Sequence, residues 1–308
     1  MEPFIPCSPR RVRPELRGKA RKIAWRVNPG NRSELPEEAT IEGTARLALD
    51  RERRWYDQEV DLTVQFLDAP PAELRREILA HMNSWGETAA VRFRETRGYA
   101  TVRIARAPGD GHWSYVGTDV LVVTDPDEPT MNLDGFTVST PERELRRVVR
   151  HETGHTLGFQ HEHLRREIVE RIDPDRAIRY FERSSGWEPD EVRLQVLTPL
   201  EEASIFATPD ADETSIMTYS LPAEIMRDGQ AVVGGTDITA LDREHIARIY
   251  PREAAPTEGP ARAPARASAV PLEAAATRSS TSHGGLLYFP EGTDPSTIAA
   301  IIAALEGR

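Results

Sequence analysis

Three histidines and one glutamate fall at a spacing that can build a metal site. Residues 151–161 read HETGHTLGFQH. On an α-helix four residues correspond to about 400° of rotation, so His151 and His155 project from the same face. Gly158 lets the chain leave the helix sharply, because glycine tolerates positive φ, and this turn brings His161 toward the other two. Three neutral imidazoles can bind Zn²⁺ and leave a fourth position open for water, which is the arrangement of a catalytic zinc site.

Glu152 lies on the neighbouring sector of the same helix, close to the metal but able to contact a water molecule. A zinc site that only stabilises a fold is usually closed by a fourth Cys or His. His163 is a candidate for that position, but it lies two residues from His161 and should point elsewhere. We therefore expect one catalytic Zn²⁺ bound by His151, His155 and His161, with Glu152 as the general base.

A second motif lies downstream, where residues 215–219 read SIMTY. The long H-E-x-x-H-x-x-G-x-x-H pattern is the metzincin signature, and metzincins also carry a methionine turn beneath the metal. A Met followed shortly by a Tyr is, on its own, more often part of an ordinary core. Together with the helix motif, it indicates the methionine turn, centred on Met217.

These motifs jointly resemble one metzincin family, the astacins. The resemblance covers about residues 44–251. It is carried by His161-Glu162-His163 with Arg165, by the SIMTY turn, by residues 111–117 (GHWSYVG), and by residues 238–251, which are similar to the terminal helix of the family.

The resemblance implies an α+β, metzincin-type two-lobed zinc peptidase domain. Its upper lobe would hold a twisted mixed sheet and two long helices including the active-site helix, and its lower lobe would be less regular. Met217 would form the floor of the site. Tyr219 would be a further zinc ligand that swings to the oxyanion in the transition state, and Glu162 would help to anchor a processed N-terminus.

The sequence departs from the family pattern in its cysteines. Cys7 is the single cysteine, so no intrachain disulfide can form and the family's cysteine-bounded specificity loop is unsupported. No acidic pro-segment motif is evident near the N-terminus. Two interpretations of Cys7 stay open: a thiolate lid on the zinc of the unprocessed chain, or a free surface cysteine without a role. The sequence favours the second.

Hydrophobic periodicity outlines the remaining elements. Alternation over residues 60–67 predicts a strand, and Pro70-Pro71 opens a helix that we expect to continue to residue 90. Strands are predicted at residues 91–93 and 101–105. The continuous apolar run at 120–124 predicts a further strand that is covered on both faces.

Composition divides the 308 residues into four parts. We expect a basic N-terminal extension at 1–43, serving as a pro-segment or an arm, and the peptidase domain at 44–251. An Ala/Pro-rich linker would span 252–283 and a short helical segment 284–308, which would dock on the domain or bind a partner.

The charge and hydropathy of the chain limit the kinds of partner that it can bind. The net charge is −11, yet residues 1–26 carry an excess of Lys and Arg. Motif support for nucleic-acid binding is missing, so a solvated extension is favoured over an arm for an acidic partner. No apolar run reaches the roughly 18–20 residues that span a bilayer, and no secretory signal is evident. The compartment stays open between the cytoplasm and non-classical export.

The function expected from these features is zinc-dependent hydrolysis of peptide bonds in a protein or peptide substrate. Two alternatives remain. The same site would serve a zinc hydrolase of another amide or ester, or the chain would be a non-catalytic binding or effector module that needs zinc only to fold. The glutamate between the histidines disfavours the last, because a folding site has no need of a base.

Overall fold

The computed structural model describes residues 7–32, 49–50, 52–56, 59–200, 205–206 and 211–252 of the chain. Apart from Arg252, the predicted linker and the predicted C-terminal helical segment lie outside the described residues. Within the described part, no helix is both long enough and apolar enough to cross a membrane.

A five-stranded mixed sheet forms the centre of the fold. Its strands are β2 (Val60–Phe66), β3 (Val91–Glu95), β4 (Val102–Ala105), β5 (Trp113–Ser114) and β6 (Met131–Asn132), in the order β3-β2-β4-β6-β5. The pairs β2–β3, β2–β4 and β4–β6 are parallel, whereas β5 runs antiparallel to β6 at one edge. A separate antiparallel pair joins β1 (Leu49–Asp50) to β7 (Ile205–Phe206). The predicted α+β fold with a mixed sheet is confirmed.

Side-chain periodicity explains how the sheet and its helices pack. Alternate residues of β2 are buried, as the sequence predicted, because successive strand side chains point to opposite faces. Helix α2 (Ala72–Asn83) packs against β3 and against α3 (Glu142–Thr156). Its buried stripe repeats at helical spacing and consists of Leu74, Ile78 and Met82. Each such side chain contributes about 1.5–3 kcal/mol when fully buried.

Two predicted elements differ from the structure. The helical stretch after Pro71 ends at Glu87, earlier than expected: α2 ends at Asn83 and the 3₁₀ helix Ser84–Glu87 continues it. At the junction, the Asn83 side chain bonds both backbone groups of Phe93 on β3. The apolar run at 120–124 is not a strand, since Gly117–Val122 forms a 3₁₀ helix. Its burial comes from packing against α1 (Arg17–Val27) and α3 instead of from neighbouring strands. Short apolar runs do not distinguish these cases by periodicity.

A second hydrophobic cluster lies in the C-terminal half of the domain. The short helices α4 (Arg166–Val169) and α6 (Pro189–Val192) flank α5 (Pro174–Ser185), and α7 (Ala240–Ile249) follows later. Asp173 caps α5 and accepts a hydrogen bond from the Arg176 amide, while Gly186 ends the helix at φ +68°. Tyr219 belongs to this cluster, whereas Met217 belongs to the first, so the SIMTY segment joins the two cores.

The N-terminal segment packs on the domain over residues 7–32. The Arg10 amide donates to the carbonyl of Ser114 at 2.9 Å, and Arg10 forms a parallel bridge with Tyr115. Helix α1 lies against the 3₁₀ helix Gly117–Val122. The side chain of Asn28 then donates to the Trp55 carbonyl at 2.9 Å. This part of the predicted solvated extension is therefore folded against the sheet edge.

Candidate metal centre

The three predicted histidine ligands converge at the end of α3. His151 and His155 lie one turn apart on this helix, and Gly158 at φ +105° turns the chain so that His161 faces them. The Nε2 atom of His161 lies 3.2 Å from Nε2 of His151 and 3.1 Å from Nε2 of His155. All three side chains are buried. The local spacing of the motif thus produces the cluster it predicted.

Hydrogen bonds to backbone carbonyls fix the ring tautomers. The Nδ1 atom of His151 lies 2.7 Å from the Ile216 carbonyl oxygen, and that of His155 lies 2.7 Å from the Phe159 carbonyl oxygen. These nitrogens must donate, so each ring presents an unprotonated Nε2 to the centre. Burial lowers the pKa of His155 to about 4 and that of His151 well below its ordinary value, which keeps both rings neutral.

This donor set fits Zn²⁺. Neutral lone pairs that face each other at this range repel unless a cation lies between them. Tetrahedral ligands at Zn–N distances of about 2.0–2.1 Å are about 3.3–3.4 Å apart, close to the observed separations. The second ring nitrogens of His151 and His155 already have carbonyl partners, as metal-binding histidines require. The chemistry and the spacing therefore agree with a three-histidine zinc site.

Glu152 is fully buried beside the histidines. Burial raises the pKa of its carboxyl to about 8, against smaller opposing effects of the neighbouring Cys7 thiol and of the Arg147 charge. Within the described residues, neither carboxylate oxygen has a hydrogen-bond partner. A buried carboxylate without such a partner is costly as a structural feature, and such groups are common at functional sites.

Cys7 is not the surface cysteine that the sequence favoured. Its side chain is 5% exposed, and its thiol completes a cluster with His151, His155 and His161 whose four ligand atoms all lie within 4.8 Å of one another. The prediction failed because the position of Cys7 depends on the pairing of the N-terminal segment with β5, and no local pattern around residue 7 reports that pairing.

Met217 lies directly beneath the motif helix. A Cβ atom added to Gly154 would lie 2.4 Å from the Met217 sulfur, so glycine is required for this close approach. The turn around Met217 is closed by a hydrogen bond from the Thr218 amide to the Ser215 carbonyl at 2.9 Å. The predicted floor of the site is therefore in place.

The residues that hold this turn were missed by the sequence reasoning. Asp242, in the first turn of α7, accepts hydrogen bonds from the Ser215 hydroxyl at 2.6 Å and from the Ile216 amide at 3.2 Å. Gly235 crosses the turn so closely that a Cβ would lie 2.0 Å from the Ser215 carbonyl oxygen. The Gly234-Gly235 dipeptide and the capping box of α7 were visible as local signals, but their link to the turn was not.

Tyr219 lies against two histidines. Its ring centroid is 4.3 Å from that of His161 and 4.1 Å from that of His163, with which it stacks. His163 does not face the metal centre, as expected: its Nε2 lies 2.9 Å from the Gln195 carbonyl oxygen, and its Nδ1 accepts from the Tyr219 amide at 3.3 Å. Burial raises the pKa of the Tyr219 phenol well above its ordinary value, so the group keeps its proton.

Glu162 is part of a buried polar pair next to the third histidine. Its carboxylate lies 3.4 Å from the Arg165 guanidinium and accepts the Asp212 amide at 3.2 Å. Burial raises the pKa of Glu162 to about 8, although Arg165 opposes the shift. In this structure, Glu162 therefore connects the segment after His161 to the loop that precedes the methionine turn.

Comparisons with known proteins identify the same region. A model of the astacin family of peptidases matches residues 48–179. Zinc metalloproteinase nas-27 from Caenorhabditis elegans is 30% identical over 129 residues, which are 41% of this chain and 27% of that protein. The chain thus spans about a quarter of the length of this curated relative. The matched family range contains the motif helix and His161 but ends before Met217.

Solved structures extend the similarity to the rest of the domain. A structure of myroilysin matches with a TM-score of 0.63 and 26% sequence identity, covering 67% of this chain and 99% of that one. A crystal structure of the same protein matches with a TM-score of 0.50 and 26% identity, covering 71% and 98%. The fold is therefore similar over nearly the whole length of those chains and about two thirds of this one.

Proposed function

Because this chain belongs to the astacin family of peptidases, we propose that it is a zinc-dependent endopeptidase acting on protein or peptide substrates. His151, His155 and His161 bind the metal, and Glu152 is the general base. The observation that carries this proposal is the convergence of three buried histidine Nε2 atoms next to a buried carboxylate.

Each residue has a role that its surroundings support. Zinc, when bound, supplies a Lewis acid that polarises the scissile carbonyl and makes water acidic enough to react near neutral pH. Glu152 takes the proton of the attacking water and transfers it to the leaving amine. Tyr219, which keeps its proton, donates a hydrogen bond to the oxyanion. His163 stacks on the Tyr219 ring and orients it.

The domain boundaries belong to the same proposal. Residues 44–251 form the peptidase domain, and residues 1–43 form its pro-segment. The position of Cys7 supports this division, because its thiol completes the cluster of the three histidines at the place where a catalytic zinc site holds water, and lies beside the general base. In this arrangement the chain is latent until Cys7 leaves.

A closed four-ligand site is also what a zinc module without activity would have. Glu152 separates the two functions, because a site that only supports folding gains nothing from a buried base. The decisive experiment is cleavage of a peptide library by the Cys7→Ser protein and by Cys7→Ser/Glu152→Ala, with zinc content measured in both.

We expect chelator-sensitive cleavage by the first protein. We expect no turnover by the second, at equal zinc content, because Glu152 does not bind the metal. Loss of zinc together with activity would make Glu152 structural. Absence of cleavage by the Cys7→Ser protein at full zinc occupancy would favour the non-catalytic module.

A further inference from the structure

Arg10 in the N-terminal segment is held by two groups of the domain. Its Nη2 atom lies 3.1 Å from both carboxylate oxygens of Asp110. Its guanidinium carbon lies 4.2 Å from the centroid of the Trp113 ring. The Arg10 side chain is about half exposed, so a basic group reaches this place from the solvent side. An acid beside an aromatic face is a favourable environment for a guanidinium.

The position that Arg10 occupies is formed by contacts within the domain, and these contacts do not involve Arg10. The Trp113 indole Nε1 donates to an Asp110 oxygen at 2.8 Å, which orients the carboxylate. The loop that carries Asp110 is fixed by Asp134, whose two oxygens accept the amides of Gly109 and Gly111 at 2.9 Å each. Both glycines have positive φ, so the loop conformation is specified by its sequence.

The position of Asp110 and Trp113 also lies along the segment that leads from Arg10 to the metal centre. The Ser8 amide donates to the His112 carbonyl at 3.3 Å, and the Arg10 amide donates to the Ser114 carbonyl at 2.9 Å. The segment thus extends along the free edge of β5, with Cys7 at the histidines. Three residues of extended chain span about 10 Å. A substrate that uses the same edge, with its scissile carbonyl in place of the Cys7 thiol, puts a side chain over Asp110 and Trp113.

We propose that Asp110 and Trp113 form a specificity subsite for an arginine side chain of the substrate, about three residues from the scissile bond. The proposal rests on the peptidase function proposed above. Arg10 occupies this subsite in the latent chain. Lysine fits less well, because it lacks the planar group that stacks on the indole. Since the site is half exposed, we expect a preference for Arg over Gln of about three- to tenfold.

The test uses full-length protein with the variants Cys7→Ser and Arg10→Ala, which together remove the thiol from the metal centre and the guanidinium from the subsite. Pairs of quenched peptides carry Arg or Gln three residues before or after the scissile bond. The ratio of kcat/KM for each pair is measured with and without Asp110→Asn, which keeps an acceptor for the Trp113 indole but removes the charge. The matched control is Glu73→Gln on α2, an exposed acid on a helix that packs at the opposite edge of the sheet.

We expect a ratio above three on one side of the bond, reduced to about one by Asp110→Asn and unchanged by Glu73→Gln. A ratio near one on both sides, or one that Asp110→Asn does not change, overturns the subsite but leaves the peptidase function intact. Binding is measured in parallel by fluorescence anisotropy with the same proteins carrying Glu152→Gln. In one outcome no peptide is cleaved, but the Arg peptide binds more tightly than the Gln peptide and Asp110→Asn removes this difference. That outcome supports the subsite and contradicts the peptidase function. Equal binding of both peptides without cleavage overturns the subsite too.

Discussion

The Nδ1 atom of His151 lies 2.7 Å from the carbonyl oxygen of Ile216, which connects a zinc ligand to the methionine turn. The amide of the same Ile216 donates to Asp242 at 3.2 Å. The two backbone groups of Ile216 therefore transmit the position of Asp242, at the start of α7, to the ring orientation of His151. Hydrogen bonds of this kind tune metal affinity, because they set the tautomer and the direction of the ligand.

Asp242→Ala should therefore weaken zinc binding about tenfold or more, because the backbone of Ile216 loses the carboxylate that fixes its position. The same change removes the capping box of α7 and should lower the free energy of unfolding by about 1–2 kcal/mol. Thr239→Ala is the matched control, since it removes the cap but leaves the bonds of Asp242 to Ser215 and Ile216. Competition with a chromogenic chelator measures the zinc affinity. Equal zinc affinity in the two variants would refute the connection.

Gly154→Ala should destabilise the protein by about 1–3 kcal/mol, because its Cβ would lie 2.4 Å from the Met217 sulfur in a packed core. Gly18→Ala on α1 provides the comparison. An added Cβ there meets nothing within 4 Å, so the lower helix propensity of glycine should make this change stabilising by about 0.5–1 kcal/mol. Chemical denaturation of both variants measures the two effects. If both substitutions change the free energy of unfolding in the same direction, the inference that Met217 packs too closely on Gly154 for a Cβ is wrong.

Cys7→Ser should increase cleavage by the full-length protein, because it removes the thiol that lies at the histidine cluster and beside Glu152. Ser8→Ala is the control, since the contact of Ser8 with His112 is made by the backbone amide. Substitution of Co²⁺ gives a readout independent of activity: a thiolate-to-cobalt absorption band should be present in the wild type and in Ser8→Ala, and absent in Cys7→Ser. Unchanged cleavage together with an unchanged spectrum would exclude Cys7 from the metal centre.

His112 should make the stability depend on pH. Burial lowers its pKa below 6.5, and its Nδ1 accepts the Asp134 amide at 3.0 Å, which requires the neutral ring. A histidine with a lowered pKa in the folded state stabilises the protein above the unfolded value, near 6.5, and this contribution is lost as the pH falls below it.

The measurement is the free energy of unfolding of the wild type and of His112→Asn between pH 8 and about pH 5. The wild type should exceed the variant at pH 7 and above, and the difference should decrease below about pH 6.5. The buried histidines of the metal centre titrate in both proteins, so the difference isolates His112. A difference that is constant with pH would show that the ring does not change protonation on unfolding.

The sequence by itself determined the three zinc ligands and the base. His151, Glu152 and His155 have positions that depend only on the 3.6-residue period of one helix, and Gly158 turns His161 toward them within a few residues. The strand at residues 60–67 was also predictable, because alternating burial is a local property of an amphipathic strand. These features use short-range geometry, which a single sequence encodes directly.

Only the tertiary structure decided the rest. The apolar run near residue 120 proved to be a 3₁₀ helix, because its burial comes from α1 and α3 and not from strand neighbours. Asp242 reaches the metal site through the methionine turn, and Cys7 reaches it through pairing with β5. Each of these contacts joins residues that are distant in the chain, and its position is set by the packing of whole elements, about which the local pattern around either residue carries no information.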